Sequence, residues 1–369
     1  MSVPPLFTPT RMGALELPNR IAMAPLTRMR ADNPGRVPTG LHAEYYAQRA
    51  GAGLIVGEAT AISPEAVGWA DTPGLWSPQQ VHGWRGVTDA VHAAGSRMIA
   101  QLWHTGSLSH PDFFDGAPPM SASAVNPEQL SSTPTGRKPT VTPRAMTRAE
   151  IRRTVADYAT AARNAVAAGF DGVQILANFT YLPAQFLNRA TNRRTDRYGG
   201  SIANRARLVL EIIESVAGAI GPERTGIKLG PMHESGPFTA DDETLPTAEY
   251  VVSRLDDYRL SHLLLMGATH ELAGTPLADL AGDGMFRHFR PLYGGTLIAS
   301  VDMDAERGNR LVRAGLADVI AFGRPFIANP DLPARLATGA APADTDWSTV
   351  YAAGPAGYTD YPALEPVAA

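Results

Sequence analysis

Short apolar segments rich in β-branched residues recur along the whole chain of 369 residues. Longer stretches separate them, and several of these repeat apolar residues at helical spacing. The apolar segments are residues 21–25, 54–60, 97–102, 172–177, 225–230, 261–266, 296–300 and 318–322. Nearly continuous apolar strands of this kind are typical of a parallel sheet that is covered on both faces.

Helical periodicity fills the stretches between these segments. Residues 205–219 and 305–314 place apolar side chains three and four residues apart, and Asp304 precedes the second stretch as an N-cap. Alternating strands and helices predict an α/β protein with one (β/α)₈ (TIM) barrel over residues 1–369. The main alternative is a doubly wound open sheet, which usually carries GxGxxG after its first strand, where this chain has IAMAPLTRMR.

Two stretches interrupt the alternation. Residues 111–143 are rich in Pro, Ser, Thr and Gly and lack a clear period. We expect them to leave the barrel after the third strand as a hairpin lid over its mouth. Residues 340–369 are expected to form an irregular segment that closes the chain.

Composition and charge exclude several classes of function. The net charge is −4 and no basic block occurs, which argues against a nucleic-acid partner. The absence of cysteine excludes disulfides, thiol nucleophiles and zinc–thiolate sites. The N-terminus lacks the pattern of a signal peptide, and no apolar run approaches the roughly 20 residues of a membrane span. We therefore expect a cytoplasmic protein that acts on a small molecule and has no membrane partner.

In a barrel of this type the active site lies at the carboxyl ends of the strands. That rule selects a set of aromatic, amide-bearing and cationic side chains. It comprises Pro25, Leu26, Thr27, Ala59, Thr60, Gln101, Trp103, His104, Leu176, Phe179, Tyr181, Lys228, Gly323 and Arg324. The set contains no pair of facing carboxylates, which disfavours glycoside hydrolysis. His104, His262 and His270 are scattered and HExxH is absent, so we predict no metal site.

Two cationic positions each have two interpretations. Arg324 follows Gly323 after the eighth strand, where barrels often bind phosphate, although a surface salt bridge is the simpler explanation. Lys228 is one of two lysines in the chain and lies in an apolar strand. Its side chain either extends to solvent at the strand end or faces an electron-rich ligand as a fixed cation.

Longer motifs add a family resemblance that runs from about Leu6 to Pro362. The opening LFTPTRMGALELPNRIAMAPLTRMRA and the stretch NRRTDRYGGSIANRAR at 192–207 resemble the old yellow enzyme family of FMN-dependent ene-reductases. The later segments AFGRPFIANPDLPARL and GYTDYP match the same family in the same order. The resemblance implies a barrel that binds FMN, accepts hydride from NAD(P)H and acts on an activated alkene.

The resemblance also implies roles for individual residues. Thr27 would hydrogen-bond the flavin near O4, Gln101 would pair with its pyrimidine edge, and Tyr181 would protonate the substrate carbon. Lys228 would face N1 and O2, where the family usually has arginine. The other flavin contacts would be Pro25, Ala59, Gly323 and Arg324. The substrate pocket would consist of Trp69, Trp103, Leu176, Phe179 and Tyr351.

Two segments depart from the family pattern. The family has His, two residues, His or Asn, then Gly-Tyr, whereas this chain reads LANFTY and places Leu176 and Phe179 at the two polar positions. Those side chains normally donate hydrogen bonds to the substrate carbonyl, and losing such a donor costs about 10²–10³ in rate. After the seventh strand, Val301 stands at a glycine position with Asp302 beside it. We therefore expect FMN to bind more weakly than is usual for the family.

These observations leave two functions open. The first is an FMN oxidoreductase that acts on an unsaturated, largely apolar substrate, for example in a biosynthetic tailoring step. The second is a related barrel that has lost or weakened flavin redox chemistry and acts as a non-redox isomerase, a cyclase or a binding protein. A visible spectrum of the purified protein distinguishes them.

Overall fold

The computed structural model describes residues 3–230 and 235–364. Within them, eight parallel strands close into a barrel, each strand pairing with the next along the chain and β8 pairing with β1. The strands are β1 Ile21–Met23, β2 Leu54–Ala61, β3 Arg97–Trp103, β4 Gly172–Ala177, β5 Thr225–Leu229, β6 His262–Met266, β7 Leu297–Ser300 and β8 Val319–Phe322. The predicted (β/α)₈ barrel is thereby confirmed. Residues 1–2, 231–234 and 365–369 of the predicted domain lie outside the described residues.

Helices cover the outside of the barrel. They are α1 Gly40–Ala47, α2 Pro78–Ala93, α3 Arg148–Ala167, α4 Ile202–Ile220, α5 Thr244–Asp256, α6 Gly284–Phe289, α7 Ala305–Arg313 and α8 Leu332–Thr338. Shorter helices at Leu182–Leu187 and Pro325–Ala328 follow β4 and β8. The predicted cap of α7 is confirmed, because Asp304 Oδ1 accepts a hydrogen bond from the Arg307 amide at 2.7 Å.

An N-terminal hairpin covers the amino end of the barrel. Its strands are Thr10–Met12 and Leu15–Leu17. Met12 and Leu17 pack in one buried cluster with residues at the amino ends of the barrel strands, including Leu54. The apolar plug at this end leaves the carboxyl end for a site.

The excursion after β3 contains a second hairpin, as the sequence predicts. Leu130–Thr133 pairs with Gly136–Pro139 in antiparallel orientation. Ser132 forms an isolated bridge with Trp69, and the Ala70 amide donates to the Ser132 carbonyl at 2.8 Å. The hairpin is therefore attached to the loop that carries a predicted pocket residue; its role as a lid stays a prediction.

Two buried arginines hold the C-terminal segment against the loop that follows β1. Arg28 Nη2 donates to the Gly357 carbonyl at 2.6 Å, and Arg30 Nη2 donates to the Thr349 carbonyl at 2.8 Å. Both side chains are essentially inaccessible to solvent. Residues 340–364 lie outside the barrel strands and helices, and these hydrogen bonds fix part of them beside its carboxyl end.

Candidate active site

Three buried side chains from adjacent strands meet at the carboxyl end of the barrel. Ala59 of β2, Trp103 of β3 and Leu176 of β4 form one apolar cluster, and Trp69 and Tyr181 pack against it. Because β2, β3 and β4 are neighbours in the sheet, their carboxyl ends lie side by side. The structure thus brings together five of the residues that the sequence selects.

Aromatic rings extend this cluster into a wall. Trp103 meets Tyr181 edge-on with ring centroids 5.1 Å apart, and Phe179 lies 6.0 Å from Tyr181. Trp69 is 6.3 Å from Trp103 and 5.9 Å from Tyr351, which lies at the exposed rim. The predicted pocket residues are therefore continuous in space, although they come from β3, β4, a loop and the C-terminal segment.

Tyr181 combines a packed ring with an available hydroxyl. Burial raises its pKa well above the usual 10, so the phenol keeps its proton at neutral pH. The hydroxyl makes no hydrogen bond to the described residues. The chain around it is fixed, because the next amide, Leu182 N, donates to the His104 carbonyl at 3.0 Å. Such a group can donate a proton to a ligand in the pocket.

The two departures on β4 leave this side of the pocket apolar. Leu176 is 3% exposed, and Phe179 adopts φ = +52°, which is uncommon for a bulky residue. The neighbouring amide of Asn178 is fully buried, and its Nδ2 lies 3.1 Å from Met266 Sδ. Tyr181, which packs against the apolar cluster, contributes a hydroxyl from this segment.

Lys228 is a buried cation inside the barrel. It is 7% exposed, so the alternative of a lysine extending to solvent is wrong. It pairs in register with Leu176, and its Nζ lies 5.5 Å from the centre of the Phe179 ring. No carboxylate pairs with it among the described residues, and burial lowers its pKa to about 8. It remains mostly charged at neutral pH and can face an electron-rich ligand.

The phosphate end of the predicted site contains an ion pair. Arg324 Nη2 lies 3.0 Å from Asp302 Oδ1, and both side chains are mostly exposed. Val301 and Asp302 have φ = +83° and +50°, so the turn keeps a backbone that favours glycine. A methyl group at Gly323 would come no closer than 3.9 Å to the nearest protein atoms, so packing does not require glycine there. Arg324 thus forms the surface salt bridge of the simpler interpretation, at the position where phosphate is expected.

The donor set fits the ring system of a flavin. Ala59 and the half-buried Pro25 supply apolar surface, and the Thr27 hydroxyl makes no hydrogen bond to the described residues. Gln101 is 2% exposed, and its Oε1 accepts no hydrogen bond from them. With Lys228, these groups could hold a ring that has both donors and acceptors along one edge. The Asp302–Arg324 pair is the part that fits a phosphate less well.

Sequence reasoning missed the buried partner of Gln101, Gln174, and the contact of Gln174 with His262. Gln174 Oε1 accepts from Gln101 Nε2 at 2.8 Å, and His262 lies beyond Gln174. The signal was present, because Gln174 is a polar residue inside an apolar strand, two positions before Leu176 and therefore on the same face.

The histidines of the described residues lie apart from one another. Among residues 3–230 and 235–364, no group of three or more His, Cys, Asp or Glu side chains is placed to hold a metal ion. Burial lowers the pKa values of His104 and His262 to about 3, so both are neutral. His104 Nδ1 accepts a hydrogen bond from the Gly106 amide at 3.1 Å.

Comparison with known proteins decides the family. Residues 5–342 match the model of the NADH:flavin oxidoreductase / NADH oxidase family. The chain belongs to this family. It is 41% identical to an old yellow enzyme homologue from Zymomonas mobilis. The two structures superpose with a TM-score of 0.92, and the match covers 98% of this chain and 100% of the homologue.

Two further old yellow enzyme relatives are similar over nearly their whole length. Morphinone reductase has 46% identity and a TM-score of 0.91, covering 98% of this chain and 97% of that structure. The 12-oxophytodienoate reductase 1 of Oryza sativa subsp. japonica is 39% identical over 371 residues, which are 98% of this chain and 94% of the relative.

Membership identifies the cofactor and the reductant. The chain is an FMN-dependent oxidoreductase of the old yellow enzyme family that takes its electrons from a nicotinamide nucleotide. Its barrel is the fold of the structures it matches. None of the helices among the described residues is long and apolar enough to cross a bilayer.

Proposed function

We propose that this old yellow enzyme reduces the carbon–carbon double bond of an unsaturated, largely apolar small molecule. The observation that carries the proposal is the cluster of Ala59, Trp103 and Leu176, beside which Tyr181 holds a free hydroxyl. A pocket lined in this way favours an apolar ligand and offers one proton donor.

FMN, when bound in the barrel, would supply a hydride from N5. The chain's own residues do the rest. Tyr181 holds a proton on its phenol oxygen and delivers it to the substrate carbon next to the one that receives the hydride. General acid catalysis by a positioned side chain contributes about 10²–10⁴-fold. The buried ring of Trp103 and the partly exposed ring of Phe179 would shield this transfer from water.

The remaining contacts are assigned by the family resemblance and supported by their placement. Gln101, Thr27 and Lys228 would bind the polar edge of the flavin, with Pro25 and Ala59 against its ring. Lys228 is suited to an edge that gains negative charge on reduction, because it is buried and has no carboxylate partner among the described residues. Gly323 and Arg324 would hold the phosphate.

Leu176 and Phe179 narrow the substrate class. Neither can donate a hydrogen bond to a carbonyl oxygen. We therefore infer a substrate whose alkene is activated without two hydrogen-bond donors from the protein. Its apolar bulk would pack against the apolar wall of the pocket. We infer that this reduction is a biosynthetic tailoring step. The cytoplasmic location stays a prediction.

A second candidate is a protein whose flavin chemistry is weakened in favour of a non-redox isomerisation, cyclisation or binding role. The Asp302–Arg324 ion pair favours this second candidate, because the Asp302 carboxylate binds a guanidinium group that would otherwise bind the phosphate.

Anaerobic spectroscopy tests the proposal against this alternative. NADH or NADPH should bleach the flavin absorbance of the purified protein, and an apolar activated alkene should restore it. The non-redox function would be supported if the nicotinamide nucleotide does not bleach the flavin absorbance. It would also be supported if no alkene restores that absorbance. A series of alkenes of increasing apolar bulk, with an equally activated small alkene as the control, would measure the pocket's preference.

A further inference from the structure

A row of side chains crosses the barrel interior at the level of Gln101. Gln101 on β3 pairs in register with Gln174 on β4, Gln174 with Gly226 on β5, and Gly226 with His262 on β6. The three side chains are at most 2% exposed. Four adjacent strands therefore each contribute one residue to the same level of the barrel, and the residue on β5 is a glycine.

Hydrogen bonds connect this row in one direction. Gln101 Nε2 donates to Gln174 Oε1 at 2.8 Å, and Gln174 Nε2 lies 2.9 Å from His262 Nε2. Since an amide nitrogen only donates, His262 Nε2 must accept. The proton of the neutral imidazole then sits on Nδ1, which lies 2.9 Å from Ser261 Oγ. Burial lowers the pKa of His262 to about 3 and so preserves this acceptor.

Gly226 makes the connection possible. Adjacent strands are about 4.8 Å apart, so side chains on β4 and β6 are separated by roughly twice that distance. A Cβ atom at position 226 would lie 2.0 Å from His262 Cε1. The imidazole therefore occupies the space of the missing side chain and reaches across β5 to Gln174.

We propose that Gln174 and His262 are positioning residues that hold the Gln101 amide with its Oε1 free to accept a hydrogen bond from a ring imide N–H. The inference rests on the proposed function, in which Gln101 binds the pyrimidine edge of the flavin. The imide N–H of that edge is flavin N3–H. If the row ran in the opposite direction, Gln101 would present its NH₂ group to this donor.

The test compares the affinities of the purified protein for FMN and for N3-methyl-FMN, which lacks the imide proton. Taking their ratio within one variant cancels any general effect on folding. The parent should prefer FMN about tenfold, the value of one hydrogen bond. Gln174→Met removes both hydrogen bonds of the central amide, and the preference should fall to about threefold or less. Gly226→Ala, whose Cβ would displace the His262 imidazole, should have the same effect.

Two substitutions control the experiment. Gln174→Glu can still accept from Gln101 Nε2, so it should retain the preference for FMN. Ser96→Ala removes an equally buried hydrogen bond, from Ser96 Oγ to the Ala52 carbonyl, at the amino end of β3. It should leave the ratio unchanged. If the Gln174→Met protein does not fold, the result for Gly226→Ala decides whether Gln174 and His262 position Gln101.

Gln101→Leu separates failure of the positioning role from failure of the flavin contact on which it rests. If Gln101→Leu leaves the ratio at the parental value, Gln101 does not bind the imide edge, and both the contact and the positioning role are wrong; the proposed alkene reduction is decided by the anaerobic spectroscopy alone. If Gln101→Leu abolishes the preference while Gln174→Met and Gly226→Ala retain it, only the positioning role is overturned. Loss of the preference in Gln174→Glu would mean that the amides run in the opposite direction, which also overturns it.

Discussion

At the scale of single residues, Tyr181 is the side chain whose chemistry can be tested most directly. Tyr181→Phe removes the hydroxyl and preserves the ring that packs on Trp103. We expect transfer to an activated alkene to slow at least about tenfold, the lower part of the range for a positioned general acid. Stopped-flow absorbance would measure the reductive and oxidative half-reactions separately.

The reductive half-reaction is the internal control for Tyr181→Phe. Reduction by the nicotinamide nucleotide needs no proton from tyrosine and should hardly change. An unaltered alkene rate would show that Tyr181 is only a wall residue.

Lys228 should destabilise the flavin-free protein in a pH-dependent way. Its pKa is about 8 in the folded chain and about 10.4 when unfolded. Below about pH 8, Lys228 is charged in both the folded and the unfolded chain, and the folded state bears the full cost of burying the charge. Between about pH 8 and 10.4, Lys228 loses its proton in the folded chain but keeps it in the unfolded chain, so this cost falls. Lys228→Met should therefore raise the free energy of unfolding by about 2–3 kcal/mol at pH 7, and by progressively less as the pH rises.

The chain's other lysine provides the matched control for Lys228→Met. Lys138 pairs with Asp112 at the surface, so Lys138→Met should change the free energy of unfolding by about 1 kcal/mol or less. Urea titrations at several pH values would measure both variants. A constant effect of Lys228→Met from pH 7 to 10 would contradict the assignment of a buried, titrating ammonium.

Asp302 should weaken FMN binding through its contact with Arg324. Asp302→Asn removes the negative charge, and Asp302→Gly also relieves the positive φ. We expect both to tighten FMN binding several-fold, since an exposed ion pair is worth about 0–1 kcal/mol and the phosphate also escapes a like charge. Fluorescence titration would measure the affinity. Riboflavin, which lacks the phosphate, should bind the parent, Asp302→Asn and Asp302→Gly with equal affinity. If the affinity for riboflavin rises as much as that for FMN, the substitutions do not act at the phosphate.

At the scale of elements, the end of β4 determines which substrates the pocket accepts. Leu176→His combined with Phe179→Asn would restore the polar pair of the family pattern. Asn also tolerates φ = +52° better than Phe does. We expect reduction of simple cyclic enones to rise by about 10² or more, because a missing anion-stabilising donor costs 10²–10³.

A long-wavelength charge-transfer band on phenol titration should appear in this double variant and be absent from the parent. Leu176→Met with Phe179→Leu keeps the segment apolar and serves as the control. A strong band in the parent would show that other donors hold the phenolate.

The elements themselves were largely predictable from the sequence, whereas their side-chain partners were not. Apolar runs located each barrel strand to within a few residues, and Asp304 marked the start of α7 because an N-cap is a local interaction. The ion pair of Asp302 with Arg324 joins residues from separate turns, and the row through Gln174 depends on strand register. Neither follows from local pattern, because both arise only when the barrel closes.

At the scale of the whole molecule, Arg28 and Arg30 connect the loop after the first barrel strand to the C-terminal segment. Arg30→Met would leave the Thr349 carbonyl without its buried donor. We expect a loss of about 2–4 kcal/mol in the free energy of unfolding, the range for disrupting a buried charged hydrogen-bond network. Arg254→Met, at an exposed arginine paired with Asp257, should cost about 0.5 kcal/mol or less.

Limited proteolysis would show where the Arg30→Met protein opens. Cleavage should begin within the C-terminal segment, close to Tyr351, before the barrel is cut. Simultaneous cleavage throughout the chain would mean that the arginine supports the barrel as a whole.

The pairing of β8 with β1 also has a consequence for synthesis of the chain. Translation delivers β1 first, yet its partner strand and the segment held by Arg28 arrive among the last residues. Until they emerge from the ribosome, β1 presents an unpaired edge, and a prematurely terminated chain keeps that edge permanently. Exposed edges pair with other chains, so truncated products of this message are expected to aggregate and to depend on chaperones.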